Sequence, residues 1–260
     1  MSIPIVTGSV MASIDRTAQE RWGVAGLYLM ERAGEAFTQV LLDSSRGFDC
    51  TRPAILCGAG NNGGDGFVIA RRLADIGFKP VILMTTEPQR LRGDAKTNYQ
   101  RLLEQDLQPI LLDEETAPTV LRRSIGQATV VVDAVLGTGI SGAPKGLAAI
   151  AIMEMNAGHA PVVSVDIASG IGADTGSVDG GAVSAAVTVT FGLPKVGHFL
   201  PPGINFRGDL AIRDIGFPAS LLDEAPHDAV VLEQADIAAI VPRRTASCHK
   251  GTAGHLCVIA

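Results

Sequence analysis

Short apolar runs recur along the chain: "AILC" from Ala54, "PVILM" from Pro80, "TVVVDAVLG" from Thr129, "PVVSVDIAS" from Pro161, "AVTVTFG" from Ala186 and "DLAIRDIG" from Asp209. They are rich in Val and Ile and bounded by Gly or Pro. Continuous apolar character without alternation is the pattern of strands buried on both faces of a parallel sheet. Between the runs the period changes to that of helices. Residues 67–76 set Phe67, Ile69, Ala70, Leu73 and Ile76 against a core, with Arg71, Arg72 and Asp75 for the wet side. Residues 94–107 and 146–157 read the same way. An opening amphipathic helix over about 9–42 is expected to break near Gly23 and Gly26. Strands alternating with helices imply βαβ crossovers, hence an α/β fold: a Rossmann-like three-layer αβα sandwich with a mostly parallel, doubly wound sheet. The pattern assigns residues 1–240 to one domain. Beyond "VPRRTASCHKG", the run "HLCVIA" from His255 begins like a strand, so 241–260 reads as a linker and the truncated start of a second domain.

Composition narrows the classes. With 260 residues, 47% hydrophobic, 30 glycines and 4% aromatics, the chain fits a glycine-turned enzyme scaffold that buries a sizeable core. The net charge of −6, without a basic run, offers no footprint for nucleic acid or an anionic membrane. No apolar run approaches the ~20 residues of a membrane span, and the start lacks the pattern of a signal peptide. Cys50, Cys57, Cys248 and Cys257 form no C-x-x-C pair and read as reduced thiols. The five histidines show no zinc spacing. The expected setting is a cytoplasm.

The stretch "CGAGNNGGDGFVIARRL" from Cys57 satisfies G-x-G-x-x-G through Gly58, Gly60 and Gly63. A dinucleotide dehydrogenase would use such a turn to leave a bare helix N-terminus facing a pyrophosphate. Here Asp65 is read as the N-cap of the following helix, where it would occupy the free N–H groups and repel a phosphate. Asn61 and Asn62 either direct amide groups into a crevice or tolerate left-handed turn geometry.

Two carboxylates lie within apolar runs, Asp133 in "VVVDAVLG" and Asp166 in "VVSVDIAS". Burying a carboxylate is costly unless it is paired, hydrogen-bonded or cation-bound. No basic residue is near either in sequence, although Lys145 or Lys195 could approach in space. Both belong toward the carboxyl ends of their strands, on the edge that holds the glycine turn, and Ser169 follows in the next turn. Asn62, Asp133 and Ser169 together supply oxygen ligands and one formal charge. That suits a large monovalent ion such as potassium better than magnesium or calcium, which take more carboxylate. The second glycine turn, "GTGISGAPKG" from Gly137, is either an anion nest or a plain loop.

The motifs "GAGNNGGDGFVIARRL", "VVDAVLGTGISGAPKG", "VSVDIASGIGADTG", "VTVTFGLPKVGHFLPPG" and "GDLAIRDIGFP", with "LMERAG" in the opening helices, resemble in order those of the NAD(P)H-hydrate epimerases, the YjeF N-terminal domain family. The resemblance runs over about 5–218. It implies an isomerase of nicotinamide-coenzyme repair that interconverts the R and S hydrates of NADH and NADPH at the C6 hydroxyl. It implies substrate contacts at Asn61, Asn62, Gly63, Gly64 and Asp65, at Gly137, Thr138, Gly139, Ile140, Ser141, Gly142 and Ala143, and at Asp166. It also implies potassium ligands Asn62, Asp133 and Ser169, a homodimer, and fusion to an ADP-dependent dehydratase whose first strand "HLCVIA" resembles. The turn "IASG" stands where the family usually has "IPSG", which removes rigidity but no ligand.

Acid–base chemistry at C6 is then expected from Asp166, with Lys195 as a second proton donor or phosphate contact. Asp166→Asn is expected to abolish accelerated epimerisation with the fold intact. The competing readings are an NAD-dependent dehydrogenase, a non-catalytic binding scaffold like the relatives in RNA-decapping complexes, and a regulatory partner of the dehydratase. Preference between the two hydrated coenzymes is not legible in the sequence.

Overall fold

The computed structural model describes residues 2–140 and 142–241. The six apolar runs all form strands: β2 Pro53–Cys57, β3 Val81–Met84, β5 Val130–Ala134, β6 Val162–Val165, β7 Val187–Phe191 and β8 Asp209–Arg213. The two-residue strand β4, Ile110–Leu111, joins them in a seven-stranded sheet of order β4-β3-β2-β5-β6-β7-β8. Every pairing in this sheet is parallel. Outside it, β1 Ile3–Ile5 pairs antiparallel with β9 Ala229–Val231, a small sheet that the pattern of apolar runs did not announce. Residues 242–260, with the expected start of a second domain, lie outside the described residues.

Helices cover both faces. The opening helix breaks where the glycines predict: α1 Gly8–Trp22 ends on Gly23 in the left-handed region (φ 67°), and α2 Gly26–Leu41 follows. These two, with α3 Asn61–Asp75 and α4 Gly93–Glu104, bury Ile14, Leu29, Phe37, Phe67, Leu73 and Leu102 against Ile55, Val132, Val163 and Val189. On the other face, α5 Ala117–Gln127 and α6 Gly146–Ala157 pack Leu121, Ile125, Ala151 and Met155 on Ala54, Leu56 and Val131. Alternate residues of one strand thus feed opposite cores, which is why the strands read as unbroken apolar runs. Two short helices, α7 Ala219–Asp223 and α8 Gln234–Ile240, complete the described chain. No helix among the described residues is long and apolar enough to cross a membrane.

The chain runs outward from β2 to β3 and β4, then returns to place β5 on the other side of β2. That reversal is a topological switch point, and the crevice beyond the carboxyl ends of β2 and β5 is where such sheets bind ligands. The two glycine turns follow these two strands. Backbone proximity explains two of the glycines: a Cβ on Gly58 would lie 1.9 Å from the Val135 carbonyl oxygen, and one on Gly63 2.1 Å from that of Gly58. No larger residue fits between the first turn and β5.

Candidate functional site

Two adjoining cavities open at this edge. One, of about 230 Å³, lies between α1, α2 and the ends of β6 and β7; Asp15, Asp65, Asp94, Asp166 and Lys195 line it, with Met11, Leu29, Phe191 and Phe217. The other, of about 450 Å³, lies between the two glycine turns and shares Asn61, Asp65, Thr138 and Asp166 with the first.

Asp166 follows directly after β6, in the left-handed region at φ 63°. A non-glycine residue held there stores on the order of 1–3 kcal/mol of strain, of a kind that collects at functional sites. Its backbone is pinned on both sides: its N–H donates to Val189 O at 2.8 Å, and its carbonyl meets His198 Nε2 at 3.1 Å. The Lys195 N–H donates to His198 Nδ1 at 3.0 Å, so the ring proton is on Nε2 and is donated to Asp166. Burial, reinforced by the Lys195 charge, pushes His198 down to about 3, so the ring stays neutral. His198 escaped sequence reading because nothing in its neighbours marks it; it acts through a backbone it meets only in the fold.

The Asp166 carboxylate takes hydrogen bonds from the Lys195 ammonium, from Thr190 Oγ1 at 3.1 Å and from the Phe191 N–H at 3.3 Å. Lys195 also donates to Thr190 Oγ1 at 2.9 Å. Its side chain is 1% exposed, so it is no surface lysine. Burial alone would raise Asp166, but the adjacent ammonium outweighs it and holds the carboxyl below its ordinary value. Of the two lysines that could have approached a buried aspartate, Lys195 reaches Asp166, whereas Lys145 is exposed and pairs with neither.

Asp65 is not the helix cap. Gly60 occupies that position with no side-chain bond, and α3 starts at Asn61, five residues earlier than the capping argument required. The N-terminus of α3 is therefore open, and the expected clash between an Asp65 cap and a phosphate does not arise. Asp65 instead points into the cavities from the fifth residue of the helix. Burial first, then the charges of Asp166 and Asp15, raise it well above the usual carboxyl range, against the opposing pull of Lys195. Asp15 is raised as well, by burial and by Asp94. Neither residue of that second pair was legible, because α1 and α4 converge on the site only in three dimensions.

Asp133 is 0% exposed, and its place in β5 turns it toward the α5–α6 layer. Four donors satisfy it: Ser169 Oγ at 2.5 Å, Ser169 N–H at 2.9 Å, Ser164 Oγ at 2.8 Å and Val135 N–H at 3.3 Å. Among the described residues no basic side chain pairs with it, and burial keeps it above its ordinary value despite these bonds. Ser169 Oγ also accepts from the Leu136 N–H at 2.8 Å, and Asn62 Nδ2 donates to Leu136 O at 2.9 Å. Asn62, Asp133 and Ser169 thus meet around Leu136, on the same sheet edge as Asp166 and adjoining its cavity without lining it together.

The remaining expected residues divide. Asn61, Gly137, Thr138, Gly139 and Ile140 line the cavity between the turns. The N–H groups of 137–140 donate to no other described residue. Gly63 and Gly64 face the interior, Gly64 against Met30 and Ala95, and line neither cavity. Gly142 lines a separate recess with Asp174 and Asp179, and Ala143 packs beside Gly180. Ser141 lies outside the described residues.

A parallel sheet with a switch-point crevice, two glycine turns beside it and a buried carboxylate–lysine pair defines an α/β protein whose crevice lies where such sheets bind ligands. The chain belongs to the family of the YjeF-related protein N-terminus, whose model matches residues 26–197. A relative from Moorella thermoacetica, "Bifunctional NAD(P)H-hydrate repair enzyme Nnr", is 36% identical over 256 residues, which are 98% of this chain and 48% of the relative. One from Pirellula staleyi, "NAD(P)H-hydrate epimerase", is 36% identical over 211 residues, 81% of this chain and 92% of the relative. The chain spans about half the length of the bifunctional relatives it matches. The crystal structure of the yeast protein ynu0 shares the fold, with a TM-score of 0.66 and 24% identity over 89% of this chain and 97% of that one.

Proposed function

We propose that the protein is an NAD(P)H-hydrate epimerase, an isomerase that inverts the C6 carbon of hydrated NADH and NADPH. The observation that carries this is the ionised Asp166, paired with a buried lysine at the mouth of the switch-point crevice, in a chain 36% identical to a named epimerase. The dehydrogenase and scaffold readings draw no support from the relatives. The open N-terminus of α3 and the N–H groups of 137–140, which donate to no other described residue, suit the substrate's pyrophosphate, since amides and a helix dipole bind anions without a basic side chain. The carboxylate-lined cavity beside them suits the nicotinamide ring.

In the proposed reaction the ring nitrogen's lone pair expels the C6 oxygen as water, and water returns to the opposite face. Asp166 takes the proton from the incoming water. Lys195 keeps that carboxylate ionised and oriented, and the surrounding carboxyls stabilise the cationic ring formed between the two steps. No proton leaves C5, so the coenzyme is inverted without being dehydrated.

A potassium site fits the donor set of Asn62, Asp133 and Ser169: a fully buried carboxylate, which pairs with no basic side chain among the described residues, lies among neutral oxygens. A monovalent cation bound there would supply the missing counter-charge and tie the two glycine turns together. A homodimer through the opening helices belongs to the same reading, since Trp22 and Tyr28 at their junction are 55% and 53% exposed. So do fusion to a dehydratase and a reducing, cytoplasmic setting for the buried thiols Cys50 and Cys57.

Isotope exchange tests the chemistry. A hydrate labelled with heavy oxygen at C6 is expected to lose its label to solvent in step with enzymatic epimerisation. Retention of the label through inversion would rule out departure of water.

A further inference from the structure

Inversion at C6 sets a requirement that one carboxylate cannot meet. The oxygen departs from one face of the ring and arrives on the other, so proton transfer is needed on both faces. Asp166 serves one. Asp65 lines both cavities with it, and among the described residues no hydrogen bond or ion pair engages the Asp65 carboxyl. Asp65 thus projects from α3 into the shared cavity with its carboxyl open to whatever binds there.

We infer that Asp65 is the proton donor on the face opposite Asp166, and that the two carboxyl groups carry one proton between them. This rests on the epimerase reading. In one direction Asp65 gives its proton to the C6 oxygen. The C6–O bond breaks with its electron pair leaving on water, while the nitrogen lone pair forms the N1–C6 double bond. Water then adds to C6 from the side of Asp166, its proton passes to that carboxylate, and the π pair returns to nitrogen. The proton now sits on Asp166, ready for the reverse passage, and exchange with solvent resets the pair. Paired carboxyls in inverting glycosidases work by the same division of faces.

The surroundings separate the two groups as this requires. Asp65 shares this cavity with Asp15 from α1, Asp94 from α4 and Asp166; Lys195 is the one cation among the described residues on its wall, and α2 presents only apolar side chains there. Burial, then the charges of Asp166 and Asp15, push Asp65 well above the ordinary carboxyl range against the pull of Lys195, whereas contact with Lys195 holds Asp166 below it. Environments that drive two carboxyls apart assign the acid and the base.

The test has two arms on the full chain. Infrared pH titration without substrate is expected to show a protonated carboxyl band at neutral pH that is lost in Asp65→Asn. Kinetically, Asp65→Asn should cut kcat in both directions by roughly 10²–10⁴-fold, leave KM little changed and remove the alkaline limb of the kcat profile. Asp65→Glu should recover part of the rate. No such band, a band unchanged in Asp65→Asn, or wild-type kcat in that variant would overturn the inference. If the band behaves as expected but wild-type protein leaves the epimer ratio at its spontaneous rate, the epimerase reading has failed, and with it the donor role. If epimerisation is fast and indifferent to Asp65, only the inference has.

Discussion

Replacing Asp166 with Asn is expected to reduce enzymatic epimerisation by at least 10²–10⁴-fold, the range ascribed to a positioned acid–base group, and also to destabilise the fold. The second effect corrects the expectation from sequence that the fold would be untouched. Lys195 is 1% exposed, and among the described residues its ammonium forms an ion pair with Asp166 alone. Removing one partner of a buried pair typically costs about 3–5 kcal/mol, because the other is left charged and unpaired. For a chain of this size that is a fall in Tm of roughly 10 °C. The double variant Asp166→Asn, Lys195→Met should regain much of the stability and none of the activity, which separates the two roles. The pH dependence has a definite sign. Asp166 is depressed in the folded state, so its contribution is present above the unfolded carboxyl pKa of about 3.9 and disappears as pH falls through the lower folded value. Acid melts should therefore show the wild type losing its advantage over the double variant below about pH 4. An advantage that persisted there would contradict the pairing.

Asp133→Ala is expected to be nearly as damaging for a different reason. It takes the acceptor from four donors in a fully buried site; the Ser169 hydroxyl can turn to the Leu136 carbonyl, but two of the others are backbone N–H groups that cannot turn away. At about 1–3 kcal/mol for each unsatisfied buried group, softened by whatever water enters, the loss should be at least about 3 kcal/mol. The variant also reports on the cation. Potassium chloride should raise the Tm of the wild type relative to choline chloride at equal ionic strength, as any ligand of the native state does. It should not raise that of Asp133→Ala. Equal melting of the wild type in the two salts would remove the proposed site.

The sheet was legible because a strand buried on both faces announces itself: "AILC" and "VVVDAVLG" feed alternate residues to two cores and therefore never alternate in polarity. The edge strand Ile110–Leu111, two residues long and half exposed, has no such signature, and helix Ala117–Gln127 offers little beyond Pro118 in its first turn to mark it. The carboxylates of the site could be picked out because Asp133 and Asp166 are improbable in apolar surroundings. Asp65 was misread for a physical reason: aspartate beside glycines is good capping chemistry, but Asn61 and Asn62 here are helical and move the start upstream. Lys195 could be named but not placed, since its pairing depends on the connection beyond β7 returning to the end of β6. His198, Asp15 and Asp94 belong to the site only through tertiary structure, and no local pattern could have found them.

The most direct measurement follows the epimer ratio of hydrated NADH by chromatography, starting from the pure R form, with wild-type protein and Asp166→Asn in potassium buffer. The account predicts rapid approach to the equilibrium mixture with the wild type and near-spontaneous drift with folded variant. Equal progress in the two samples, or no acceleration by the wild type, would contradict it.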